Sequence, residues 1–546
     1  MPNLDLSQKI GQMLAFGWQG STDEENYTVS EHARAVVEDF QAGGVAILGR
    51  NIHTPDQIAE TINELQRRAE IPLFIVADQE GGMVTRFKYP FAVFPGNMAL
   101  GATRSVDYCR RAAQAIAKEL AAVGVNLNFA PCVDVNINPD NPIIGVRSYG
   151  ESPELVAQLG IAAIEGYQSM GVLACAKHFP GHGDTSIDTH YALPVLRYDW
   201  ERLNSVELVP FRAAIKADVA SIMTSHIVFP ALDEVFPATL SEKILMGLLR
   251  KQMGYDGLVI TDCLEMKAIA DGYGASEAAV LAVKAGTDIL LAGHTLSFQR
   301  EMREALIKAV KSGVISEQCI DESVSRILAA KRKYGLDSRR TADVALLKSA
   351  IGHPEIRRLE KEIAEKAVTL VRNQDGLLPL RLGESAQIAV VGMHPATDLF
   401  AAAVRARHPN TKHVRISTSP DSEQLSKVDE LIKESEAVLI TLCPVEPWTH
   451  GLVDEEAQAK FVNRVLQAGT PAIVVAAREP YGLRRFPQAR TCIATYGYPE
   501  VSARAAADLV FGLVQPCGCL PVSVPNCVEY GAGIQGFSKA GEPDSH

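Results

Sequence analysis

Residues 177–190 combine Lys177, His178, His182, Asp184, Asp188 and His190 with Pro180, Gly181 and Gly183. The run before them, 171–176, is apolar enough to read as a buried strand. Burying unpaired charge costs several kcal/mol or forces neutralisation, so a core has no use for such a set. The stretch therefore reads as an active-site loop, with glycines at 181 and 183 expected to let it move. Asp188 and His190 stand one residue apart. At that spacing the carboxylate can fix the imidazole's tautomer while the other ring nitrogen faces a substrate. An imidazole with a pKa near ~6.5 gives and takes protons at neutral pH. Asp262 ends a further apolar run, 257–261, where a carboxylate is either a nucleophile or the N-cap of the next helix. A fixed carboxylate opposite an Asp/His pair would supply both functions of a double displacement at a glycosidic carbon. His178, His182, Asp184 and His190 are the rival reading as metal ligands. Metal hydrolases on barrels draw ligands from several strands, and residues 16–19, after the first strand, hold no His pair. No metal and no cofactor are expected.

The elements that would hold these groups recur in a β-then-α rhythm. Apolar runs lie at 13–16, 44–48, 73–77, 125–130, 172–176, 220–224, 257–261 and 288–292, with amphipathic segments such as 106–123 and 153–170 between them. Short apolar runs between helices argue for parallel strands covered on both faces. Five of the runs end in polar residues: Asp78, Asp134, Lys177-His178, His226 and Asp262. Eight units with their polar groups at the strand ends predict an N-terminal (β/α)8 barrel over 1–335, with its site at the C-terminal mouth. An open doubly wound sheet is the alternative. Residues 336–352 read as a linker. A second rhythm, with strands at 388–392, 437–441, 472–476 and 491–495, predicts a C-terminal α/β sandwich domain over 353–530. Residues 531–546 read as a flexible tail.

Length and composition agree with a two-domain globular chain: 546 residues, 47% hydrophobic and 22% charged. The net charge of −12, with no basic run, excludes a nucleic-acid backbone as partner. No run is long and apolar enough to span a membrane, and the first residues lack the basic and apolar regions of a signal peptide. The ten cysteines are scattered without zinc spacing, and Cys517-Gly518-Cys519 reads as incidental. A reducing, cytoplasmic location is the expectation. The oligomeric state is left open.

Several motifs resemble glycoside hydrolase family 3, in its β-N-acetylglucosaminidase branch. They are residues 8–14, Asp78-Gln79-Glu80-Gly81-Gly82 with Arg86, Arg147-Ser148-Tyr149-Gly150, the whole of 177–190, and Thr261-Asp262. In the second half 367–373, 378–380 and 520–523 resemble the family's C-terminal domain. The resemblance implies that Asp262 is the nucleophile and that His190, oriented by Asp188, is the acid/base. It implies that Asp78, Arg86, Arg147, Lys177 and His178 hold the sugar. The implied activity is retaining removal of terminal β-GlcNAc from cell-wall or chitooligosaccharide fragments. Phosphorolysis, β-glucosidase activity and a catalytically silent sugar-binding role are the alternatives. Cys263 departs from the pattern, since that place is often acidic in the branch.

Overall fold

A computed structural model of the chain describes residues 4–186, 188, 193–443 and 455–537. Eight parallel strands form the first sheet: β1 (Leu14–Phe16), β2 (Gly44–Ile47), β3 (Phe74–Ala77), β4 (Leu127–Asn128), β5 (Leu173–Phe179), β6 (Ser221–Thr224), β7 (Leu258–Ile260) and β8 (Leu290–Ala292). Their order is β8-β1-β2-β3-β4-β5-β6-β7, and a single bridge between Ile260 and Ile289 brings the two ends together. The sheet is a nearly closed (β/α)8 barrel, not the open doubly wound alternative. Every residue of these strands is buried, as strands covered by helices outside and filled by side chains inside must be. The covering helices start where the sequence supplies caps. Ser105 caps Val106–Ala122, and Ser152, with Pro153 at the first position, caps Pro153–Ser169.

β4 is only two residues long, although the residues after it, Phe129 and Ala130, stay apolar and buried. The Asn128 side chain bonds both the N–H and the carbonyl of Gln79, stitching β4 to the residues that follow β3. β5 departs in the opposite sense. It runs on through Lys177 and His178, so the polar motif begins inside the strand.

The second sheet has six strands: β9 (Thr369–Asn373), β10 (Ile388–Gly392), β11 (Thr411–Arg415), β12 (Ala437–Leu442), β13 (Ala472–Ala476) and β14 (Thr491–Ala494), ordered β9-β14-β13-β12-β10-β11. All pairings are parallel except β9 with β14. Helices cover both faces, giving an α/β sandwich. The two units touch around the barrel mouth. Glu151 accepts from both the Ser523 N–H and its hydroxyl, each at 2.7 Å, and Asn136 Nδ2 donates to Tyr481 OH at 2.8 Å. At Gly150, φ is +156° and an added Cβ would lie 2.4 Å from the Pro521 carbonyl oxygen, so only glycine permits this contact. No helix among the described residues is long and apolar enough to cross a membrane.

Candidate active site

At the C-terminal ends of the barrel strands lies a cavity of ≈ 620 Å³. Its lining includes Asp78 beyond β3, Arg86 and Arg147 on the loops after β3 and β4, Lys177 and His178 from β5, and Asp262 beyond β7. Six of the eight residues singled out in the sequence are thus brought to one cavity. Asp188 is buried, and His190 lies outside the described residues.

Three cations and two carboxylates form one network. Lys177 Nζ lies 2.9 Å from Asp78 Oδ1 and 2.7 Å from Glu80 Oε1. Arg147 grips Glu80 with two prongs, NH2 to Oε1 at 2.9 Å and Nε to Oε2 at 3.1 Å. Arg86 closes on Asp78 Oδ2 at 3.4 Å. Burial works against ionisation of Asp78 and Glu80. Lys177 with Arg86, and Arg147 with Lys177, override it and hold both carboxyls below their usual range. The same carboxylates raise Lys177 and Arg147 against their own burial, so these four groups are charged at neutral pH.

His178 is set by Asp134. Its Nδ1 lies 2.7 Å from Asp134 Oδ2, and a carboxylate only accepts, so Nδ1 carries the proton. Nε2 is then left as an acceptor, 3.4 Å from Arg147 NH2. Asp134 also accepts from the backbone N–H of His178 and of His182, the latter at 2.7 Å. Burial opposes its charge, but His178 beside it lowers its pKa. His182 stacks edge-on to His178, and burial beside it lowers its pKa to about 4, so it is neutral above that pH.

The first half of the 177–190 motif is packed, contrary to the mobility expected of its glycines. Residues 179–183 are buried. A Cβ on Gly183 would sit 1.8 Å from the Val135 carbonyl oxygen, and one on Gly181, at φ +146°, would strike the Glu207 side chain at 2.8 Å. These glycines allow close approach of backbone to its surroundings. Asn141 Nδ2 holds the His182 carbonyl at 2.9 Å, and Arg202 bridges Asp184 and Glu207.

Asp262 is half-buried in the cavity lining, and its Oδ1 accepts from the Cys263 N–H at 2.7 Å. The following helix, Lys267–Ala285, has Met266 in the capping position, which removes the N-cap reading of Asp262. His226, at the end of β6, braces this turn through Nε2 to the Cys263 carbonyl at 3.0 Å.

Glu80 and Asp134 carry as much of the geometry as the residues picked out in advance. Both were visible as acids at strand ends, but nothing in the sequence said that each was a partner for a cation or an imidazole on another strand. From the second unit, Glu479 reaches Gly145, in the turn carrying Arg147, where an added Cβ would lie 3.0 Å from Glu479 Oε1. Trp448 and His450, in the same unit, lie outside the described residues.

A parallel barrel with paired acids, cations and imidazoles at its mouth has the layout of a carbohydrate-processing enzyme. Residues 5–330 match the glycosyl hydrolase family 3 N-terminal domain and 368–539 the family's C-terminal domain, and the chain belongs to glycoside hydrolase family 3. It is 32% identical to "Beta-hexosaminidase A" of Pseudoalteromonas piscicida, across 95% of this chain and 97% of that one. It is 29% identical to "Beta-N-acetylglucosaminidase/beta-glucosidase" of Cellulomonas fimi, across 90% of each. Among solved structures, a family 3 β-N-acetylglucosaminidase from Paenibacillus sp. str. FPU-7 superposes with a TM-score of 0.87 at 37% identity, covering 96% of this chain and 99% of that one.

Proposed function

We propose that this chain is a retaining exo-β-N-acetylglucosaminidase. The carrying observation is the site itself: Asp262 lines the same cavity as the charged Asp78–Lys177–Arg147 network, in a chain of the same family as named β-hexosaminidases. In this reading Asp262 attacks the anomeric carbon, and protonated His190 gives its proton to the leaving oxygen. A glycosyl–Asp262 ester forms. Neutral His190, kept in orientation by Asp188, then takes a proton from water, which attacks the same carbon and releases β-GlcNAc. Asp78 accepts from sugar hydroxyls, and Arg86, Arg147 and Lys177 donate to them. His178, with Nε2 as acceptor, takes a further hydroxyl proton into a hydrogen bond.

The finer assignments belong to the same proposal: substrates from peptidoglycan fragments or chitooligosaccharides, and a cytoplasmic role in cell-wall recycling. All ten cysteines are free thiols, which supports a reducing compartment. The domain limits 1–335 and 353–530, with 336–352 as linker and a tail from 531, are proposed alongside. The Cellulomonas fimi relative's name favours β-glucosidase activity as a second reading. Nitrophenol release from the β-GlcNAc and β-glucose aryl glycosides, with and without phosphate, tests both. Preference for β-GlcNAc with free sugar as product supports the proposal. Preference for glucose, or release of sugar 1-phosphate, overturns it.

A further inference from the structure

Beside Asp262 the cavity wall carries a second cluster that the glycosidase chemistry leaves unused. Cys263, Glu265 and His294 each offer a ligand atom, and the three atoms lie within 4.8 Å of one another. All three residues line the cavity. They come from two strand ends, Cys263 and Glu265 after β7 and His294 after β8, so the barrel closure itself brings them together. Glu265 is held in place, with Oε2 accepting from the His294 N–H and Oε1 from the Thr295 N–H, both at 2.7 Å. Each oxygen keeps a lone pair for another partner.

Thiolate, imidazole and carboxylate form the ligand set that Zn²⁺ prefers, and three protein ligands leave a fourth position for water. Ligands around a tetrahedral zinc stand roughly 3.3–3.8 Å apart at ordinary bond lengths. The cluster therefore needs to close by at most about 1.5 Å, which the exposed His294 ring can supply by rotation. Arg50 is the group that resists. Its NH1 lies 3.0 Å from His294 Nδ1, and its Nε donates to the Trp18 carbonyl at 3.0 Å. A dication must move this guanidinium off the imidazole, whereas the carboxylates of Glu265 and Asp262 attract it.

We propose that Cys263, Glu265 and His294 form a binding site for a thiophilic divalent cation, Zn²⁺ foremost, whose occupancy inhibits the enzyme. A cation held there stands against Asp262, the residue after which Cys263 follows. It ties up the charge the carboxylate needs for attack and fills part of the cavity. The site is distinct from the His178 and Asp134 pair, where both Asp134 oxygens already accept from N–H groups.

The inhibitory effect rests on the proposed function, but the binding does not, and the test separates them. Each variant is compared with itself, with and without Zn²⁺, so changes in basal rate do not enter. Zn²⁺ should inhibit aryl β-GlcNAc hydrolysis, EDTA should restore it, and Cys263→Ala and His294→Asn should each weaken inhibition by about tenfold or more, as loss of a ligand demands. In parallel, one equivalent of Co²⁺ added to the full chain should give a thiolate-to-cobalt charge-transfer band that Cys263→Ala removes. A cobalt band in a protein that hydrolyses no β-GlcNAc glycoside would uphold the site and reject the glycosidase reading. Absence of the band, or Zn²⁺ inhibition unchanged in Cys263→Ala, would overturn the site.

Discussion

Glu80→Gln is the perturbation whose consequence the structure specifies most fully. Glu80 has a 1% exposed side chain and meets Arg147 twice and Lys177 once, at 2.9, 3.1 and 2.7 Å; those partners are 8% and 2% exposed. Glutamine keeps the shape but removes the charge, and its amide end turns a donor toward a donor. Lys177 then keeps Asp78 at 2.9 Å, while Arg147 loses both of its bonds to the Glu80 carboxylate. Removing one partner from a buried ion pair costs about 3–5 kcal/mol, because the other charge stays desolvated. Urea unfolding followed through the buried Trp18 should show a loss of that order in the barrel transition. The pH dependence has a definite sign. Burial opposes the Glu80 charge, but Arg147 and Lys177 more than offset it and lower the pKa from 4.5. The stabilisation is complete above pH 4.5 and is lost as the pH falls through the lowered value, so the Gln penalty should shrink in that window. Since Arg147 and Lys177 also face the sugar in the proposed mechanism, kcat/KM on the aryl β-GlcNAc glycoside should fall at least about tenfold, in line with misplaced binding groups. A stability loss under about 1 kcal/mol, the size of an exposed pair, together with unchanged kcat/KM, would refute this account of the network.

Asp134→Asn replaces the acceptor that fixes the His178 tautomer, and kcat/KM should drop by about 10²-fold, the scale of a misoriented contact, with folding retained by circular dichroism. His190→Ala should lower the rate on poor leaving groups by about 10²–10⁴-fold and on a dinitrophenyl leaving group far less, because the latter needs no proton; equal losses on both would remove His190 from the acid role. Lys331 is buried, donates to the Gln12 side chain and the Gly43 carbonyl, and is brought by burial to a pKa of about 7 from 10.5. The unfolded chain binds the extra proton between those values, so stability should rise with pH across that window, and Lys331→Met should flatten the rise in urea midpoints.

The barrel was legible in the sequence because parallel strands buried on both faces leave uninterrupted apolar runs such as 73–77 and 288–292. Strand limits were less so. β4 is cut short where Asn128 turns to bond Gln79, and β5 extends through Lys177 because its charge is matched by Asp78 and Glu80 from the segment after β3. β11, Thr411–Arg415, was not anticipated, since an edge strand with exposed Lys412, His413 and Arg415 has no apolar signature. In the site, residue types at strand ends pointed to Asp78, Lys177 and Asp262. The partnerships could not be read the same way. Glu80 with Arg147 and Asp134 with His178 join residues 67 and 44 positions apart, a separation that only the closed barrel brings into contact. The glycines of 181–183 were read as freedom when they serve contact, because sequence shows an absent Cβ but not the carbonyl that would meet it.

The most direct measurement is peptide mapping by mass spectrometry after rapid quench with a slow fluorinated β-GlcNAc fluoride. The account predicts one sugar adduct, on the peptide containing 258–266 and localised to Asp262, absent in Asp262→Asn. An adduct on another carboxylate, or none while the substrate is turned over with inversion, would contradict it.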